Sequence, residues 1–168
     1  MIKEILKLGN PSLYVTSTEY QKENIKDIEK VVADLHDTLM EYKRVHGAGR
    51  AVAAPQIGVQ KRLLYMYIDH PVPMINPVLQ FPDDEKMIVM DDCMSFPGFL
   101  VKVERFKRCI VTYYDMQWRK QELHLEGDLA ELIQHEYDHL DGITATMRAI
   151  DEKSFYYGDI NDYRKSCK

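Results

Sequence analysis

The chain has 168 residues, 45% hydrophobic and 29% charged, with a net charge of −5. This is one domain's worth of ordinary globular sequence, and its acidic balance, with scattered lysines and arginines, excludes a nucleic-acid or anionic-membrane surface. No apolar run approaches a membrane span, and the opening MIKEILKLGN is too polar for a secretory core. Three widely spaced cysteines read as free thiols of a reducing, cytoplasmic setting.

In chain order, residues 1–19, containing Pro11, predict an extended arm. Ile25, Ile28, Val31, Val32, Leu35 and Leu39 recur at helical spacing, predicting one amphipathic helix from Ile25 to Tyr42 that ends near Gly47 and Gly49. The small residues of 51–58 let the backbone lie close against another element or a ligand. Short strands follow at 62–68, 74–81 and 87–93, punctuated by Pro71, Pro73, Pro77 and Pro82. Phe99, Val101 and Val103 alternate with Leu100, Lys102 and Glu104 in a half-buried strand, and 108–114 with 121–125 read as a hairpin. Arg105 is expected in a surface ion pair, His124 on an exposed strand face and Cys109 in the core. A helix runs from Asp128, taken as N-cap with Glu131 completing a capping arrangement, to Leu140, with Gly142 as its stop. The tail, 151–168, is polar with a few tyrosines and fits either a short helix or a loosely ordered, frayed end. The expected fold is α+β, with small antiparallel or mixed sheets packed around this last helix in a single domain, 1–168.

That helix carries the chemistry. His135 and His139 are four residues apart, so a helix presents both imidazoles to one metal ion. Glu136 projects beside the first, where a carboxylate can take a proton from activated water. A third ligand is needed, with a fourth position open. A terminal histidine of the H-E-x-x-H-x-x-G-x-x-H type is missing, because Ala145 stands there. Glu152 is available but lies in the polar tail. Cys93 sits where a strand end runs into a Pro-Gly turn, at the rim of a sheet where sites are usually built, and is the better candidate. Asp138 and Asp141 would face solvent or support the ligands.

Three short segments resemble the motifs of peptide deformylases. The motif G-x-G-L-A-A-P-Q appears at Gly49–Gln56, E-G-C-L-S at Asp91–Ser95, and Q-H-E-x-D-H-L intact at Gln134–Leu140. The similarity covers about residues 2–150. It implies that Cys93, His135 and His139 hold one divalent ion, Fe(II) in cells and often Zn or Ni after purification. It also implies Glu136 as general acid/base, with the Gln56 amide and the Met94 N–H as oxyanion donors. Gly49, Ala51 and Asp92 would border the substrate, an N-formylmethionyl peptide met at the ribosome.

Three positions depart from the pattern: Ala51 and Asp92 stand where the motifs have glycine, and Asp91 where they have glutamate. Aspartate beside a ligand cysteine adds bulk and charge where glycine would let a peptide approach. The expected function is removal of formyl from N-formylmethionine of nascent chains. A small zinc endopeptidase and a module that binds acylated N-termini without turnover are the competing readings. An intact Glu136 argues against the latter.

Overall fold

The structure, a computed structural model, describes residues 1–168. Its elements are α1 (Ile25–His46), β1 (Ala51–Ala53), β2 (Leu63–Tyr67), β3 (Pro71–Gln80), β4 (Lys86–Asp91), β5 (Phe99–Phe106), β6 (Arg108–Tyr114), β7 (Lys120–Glu126), α2 (Asp128–Leu140), β8 (Phe155–Tyr157) and α3 (Ile160–Ser166). Five strands form one sheet in the order β1-β2-β3-β6-β7, and three form another in the order β4-β5-β8. Every strand pair is antiparallel, so the fold is α+β without the mixed pairing allowed above.

The two-residue period of β2 explains the layering. Leu63 and Tyr65 face α1 and pack with Ile28, Leu35 and Leu39. Leu64 and Met66 face the other way and pack with Ile133 and Leu140 of α2. The large sheet is therefore sandwiched between the two helices. Each fully buried Leu or Ile here contributes roughly 1.5–3 kcal/mol. A smaller core of Cys93, Phe96, Val101, Val103 and Ala145 lies under the second sheet.

The structure departs from the sequence expectations in several places. Helix α1 runs one turn past Tyr42 and ends at Gly47 in a left-handed cap. Strand β3 begins at Pro71 rather than Met74. Pro71 and Pro73 are tolerated because only β2 pairs with β3 there, and Pro77 sits at the irregularity between Ile75 and Val78 in the pairing with β6. Asp128 is not the N-cap of α2; Gly127, at φ 62°, takes that position, and Asp128 in the first turn pairs instead with Arg50. At the other end Gly142 has φ 72°, and a Cβ there would lie 2.5 Å from the Tyr14 carbonyl oxygen, so only glycine fits. The tail is ordered: β8 adds a third strand beside β5, and α3 is capped by the Asp159 side chain. No helix is long and apolar enough to cross a membrane.

Candidate metal centre

Three segments meet at the end of α2. The last two turns of α2 are buried almost all round, and they bring in His135, Glu136 and His139. The turn after β4 brings Cys93 and Met94, and a 3-10 turn at Ala54–Ile57 brings Gln56. The ligand-type atoms of Cys93, His135 and His139 all lie within 4.8 Å of one another. Cys93 Sγ is 3.4 Å from His139 Nε2 and accepts from the Ser95 N–H at 3.4 Å. Cys109 is buried in β6 and Cys167 is exposed in the tail, both remote from this cluster. Glu152 is exposed and takes no part.

Gln56 is oriented by its backbone surroundings. Its Oε1 accepts from the Ala53 N–H at 2.9 Å, which turns the amide nitrogen toward Cys93 Sγ at 3.5 Å and Ser95 Oγ at 3.2 Å. The Met94 N–H makes no hydrogen bond within the chain. A strip of the N-terminal arm ties these two loops together. Leu6 N–H donates to the Gln56 carbonyl and Leu8 N–H to the Ser95 carbonyl, both at 2.8 Å. The Lys7 ammonium reaches the Met94 carbonyl at 3.1 Å.

Behind the histidines runs a buried chain of charge that the sequence did not announce. Asp91 Oδ1 lies 2.8 Å from His135 Nδ1, off the axis of the ring N–H. Its other oxygen accepts from Arg105 at 2.6 Å. Arg105 also donates to Asp138 at 2.6 Å, and Asp138 in turn receives two bonds from Arg148, at 2.6 and 2.7 Å. Arg105, expected at the surface, is only 3% exposed. An unpaired guanidinium would be prohibitively costly at that depth, so the two aspartates are what let it stay. Asp138 supports this chain, whereas Asp141 pairs with Arg62 nearer the surface. One signal could have exposed Asp91: along an extended strand end, residues 91 and 93 share a side, and both are buried while Asp92 is not.

The electrostatics follow from burial and these partners. Burial disfavours charge on Asp91, yet His135 and Arg105 together hold its carboxyl well below the usual carboxylate range. His135 is pushed up: burial opposes its charge, but the Asp91 carboxylate and Cys93 sulfur outweigh it. His139 is pushed down by burial and by His135. Burial pushes the Glu136 carboxyl up to about 7, and its Oε2 has no hydrogen-bond partner.

A cleft of about 680 Å³ opens onto this cluster. Cys93, Met94, His135 and Glu136 form part of its wall, as do Gly49, Ala51 and Asp92; His139 and Gln56 lie behind it. The sequence did not foresee that Arg50, Asp128 and Glu131 line the cleft, or that Ile160 and Arg164 of α3 reach its rim.

Residues 2–155 match the family model described as polypeptide deformylase. The chain is 36% identical over 155 residues to the peptide deformylase of Dictyoglomus turgidum, spanning 92% of this chain and 97% of that one. It is 35% identical over 166 residues to peptide deformylase 1 of Prochlorococcus marinus, 92% and 84% of the two chains. The crystal structure of peptide deformylase from Thermotoga maritima superposes with a TM-score of 0.81 at 31% identity, covering 90% of this chain and 99% of the other. That of the Synechococcus elongatus enzyme in complex with actinonin gives 0.81 at 28% identity, covering 89% and 80%. Motifs, fold and near full-length similarity agree, and this chain belongs to the peptide deformylase family.

Proposed function

We propose that this protein is a metal-dependent hydrolase that removes the N-formyl group from N-formylmethionine of nascent polypeptides. The observation that carries the reading is the convergence of Cys93, His135 and His139 beside a buried Glu136 at the floor of a cleft, in a chain of this family. The donor set fits a divalent ion. Metal–sulfur and metal–nitrogen bonds of about 2.3 and 2.05 Å at tetrahedral angles require about 3.6 Å between donors, and Cys93 Sγ and His139 Nε2 are 3.4 Å apart. One thiolate and two imidazoles suit Fe(II), Zn and Ni alike. We assign Fe(II) as the native ion, with Zn or Ni replacing it on purification.

In this reading α2 is the metal-binding helix at the centre of one catalytic domain, 1–168. When bound, the ion supplies the Lewis acidity that makes water nucleophilic near neutral pH. Glu136 takes the proton of the attacking water and passes it to the leaving amine nitrogen, so that the C–N bond breaks to formate and a free amine. The Gln56 amide and the Met94 N–H donate to the formyl oxygen as it becomes anionic, each such donor being worth roughly 3–4 kcal/mol of barrier. Gly49, Ala51 and Asp92 border the bound peptide. The setting is the cytoplasm, with nascent chains met at the ribosome.

The test is metal content and formate release from formyl-Met-Ala-Ser by protein purified without oxygen. About one ion per chain is expected, with activity lost on chelation and restored by Fe(II). Metal-loaded protein that releases no formate overturns the reading.

A further inference from the structure

The wall of the cleft nearest the reacting atoms is not apolar throughout. On α2, Leu132 and Glu131 lie one turn before Glu136 and His135, so they face the space beside the scissile amide. Val89 lines the same cleft as Leu132, so apolar side chains border the space next to Glu136. The same lining also carries the acids Glu131, Asp92 and Asp128.

The charges do not cancel. Arg50 is committed to Asp128. Lys43, also on the lining, has its ammonium engaged by the Tyr67 carbonyl at 3.2 Å and 5.2 Å above the Tyr67 ring. Arg164 stands exposed on α3. No cation lies within ion-pair distance of Glu131 or Asp92, although most other acids near basic groups in this chain are paired. Glu136, 4% exposed and with an unpartnered oxygen, lines the same cleft. Glu131 has only another carboxyl, that of Asp91, beside it; a partly buried carboxyl with no cation is costly, and a ligand that brings a cation or a hydrogen-bond donor relieves that cost.

We infer that, beyond formyl-methionyl peptides, the cleft takes formylated substrates whose first side chain is an unbranched stem ending in a cation, as lysine's does, with Glu131 as the residue that reads that end. Val89 and Leu132 grip the stem, which is why methionine is also accepted. This inference rests on the deformylase reading above, and the experiment separates the two.

The probes are formyl-Xaa-Ala-Ser peptides with Xaa lysine, norleucine, methionine or glutamate, assayed for formate release and, in parallel, for equilibrium binding by calorimetry. A second pair, formyl-Met-Lys-Ser and formyl-Met-Nle-Ser, moves the test group one residue along. Wild-type protein is expected to use the lysine peptide at least as well as the norleucine peptide. The ratio of their kcat/KM values, and of their affinities, should fall on the order of tenfold in both Glu131→Gln and Glu131→Leu. The near-isosteric glutamine variant guards against misfolding, and each variant's own norleucine activity is the reference for its lysine ratio. A lysine peptide tenfold poorer than norleucine in wild type, a ratio unmoved in both variants, or a lysine preference appearing only at the second position overturns the inference. Lysine-selective binding without formate release would uphold it and overturn the deformylase reading instead.

Discussion

At the scale of single residues, Glu136 and Glu131 are two carboxyls on neighbouring turns of α2, both pushed upward by burial and for different ends. Under the proposed function Glu136 carries a proton. Glutamine there keeps the shape and the neutral state but cannot carry it. Glu136→Gln is therefore expected to bind metal as wild type does and to lose 10²–10⁴ in kcat, on the scale of general acid–base catalysis; near-normal formate release with full metal content would place the proton carrier elsewhere. Burial, then the nearby Asp91 carboxylate, raises Glu131 from 4.5 to about 8. A folded value above the unfolded one means the native state holds the proton longer. Stability from this group is fully present below pH 4.5 and is lost as pH climbs through about 8. Glu131→Gln, neutral throughout, should match the wild-type Tm below pH 4.5, exceed it increasingly up to about pH 8, and exceed it by a constant margin above. A Tm difference that stays constant over that range would show that Glu131 is not perturbed. Glu136 was legible in the sequence because one helical period fixes its place beside His135. Glu131 was read only as a capping residue, because its role depends on a cleft closed by distant loops.

At the scale of elements, the strand β5 and the helix α2 are joined through Arg105, which reaches from the sheet to Asp91 and Asp138. The alternation of β5 was readable, with Val101 and Val103 inward. It also puts Arg105 on their side of the strand, and all three are buried. A charged residue on a buried face reads as a surface residue until its partners are known, and those partners are 14 and 33 positions away. Arg105→Met should cost on the order of 3–5 kcal/mol, since it strands the buried Asp91 without its guanidinium. Denaturant unfolding of the variant measures this, and a loss under 1 kcal/mol would mean that the aspartate repairs its pairing with His135 alone. The start of α2 was misread for a related reason. An Asp-x-x-Glu pattern signals a cap only if the aspartate lies outside the helix, and the positive φ at Gly127 shifts the boundary by one residue.

At the scale of the whole molecule, two sheets and α2 converge so that residues from Tyr42 to Arg164 surround one cleft. The three motif segments were legible because each is local, and their convergence was legible through the family resemblance. The tail was not, because β8 is only three residues long and α3 is short and polar, and β8 is held by pairing with β5 rather than by its own pattern. The chain truncated after Ser154 loses Ile160 and Arg164 from the rim and no residue of the Cys93, His135 and His139 cluster. It should fold, bind metal as before, and show a KM for formyl-Met-Ala-Ser raised severalfold with kcat within about twofold, as expected when only ground-state contacts are removed. A fall in kcat with KM unchanged would instead assign the tail a part in ordering the reacting groups.

The strip Leu6, Lys7 and Leu8 acts as a splint across the two loops that hold Gln56 and Met94. Those loops are 38 residues apart in the chain, and both proposed oxyanion donors depend on their spacing. If the strip peels away, the two donors lose their common frame at once while α2 stays intact. The protein would then exist as two populations, both metal-loaded, of which only one is competent. Amide hydrogen exchange at Leu6 and Leu8 measures the opening directly, and the fraction opened sets a ceiling on specific activity that metal analysis alone would never reveal.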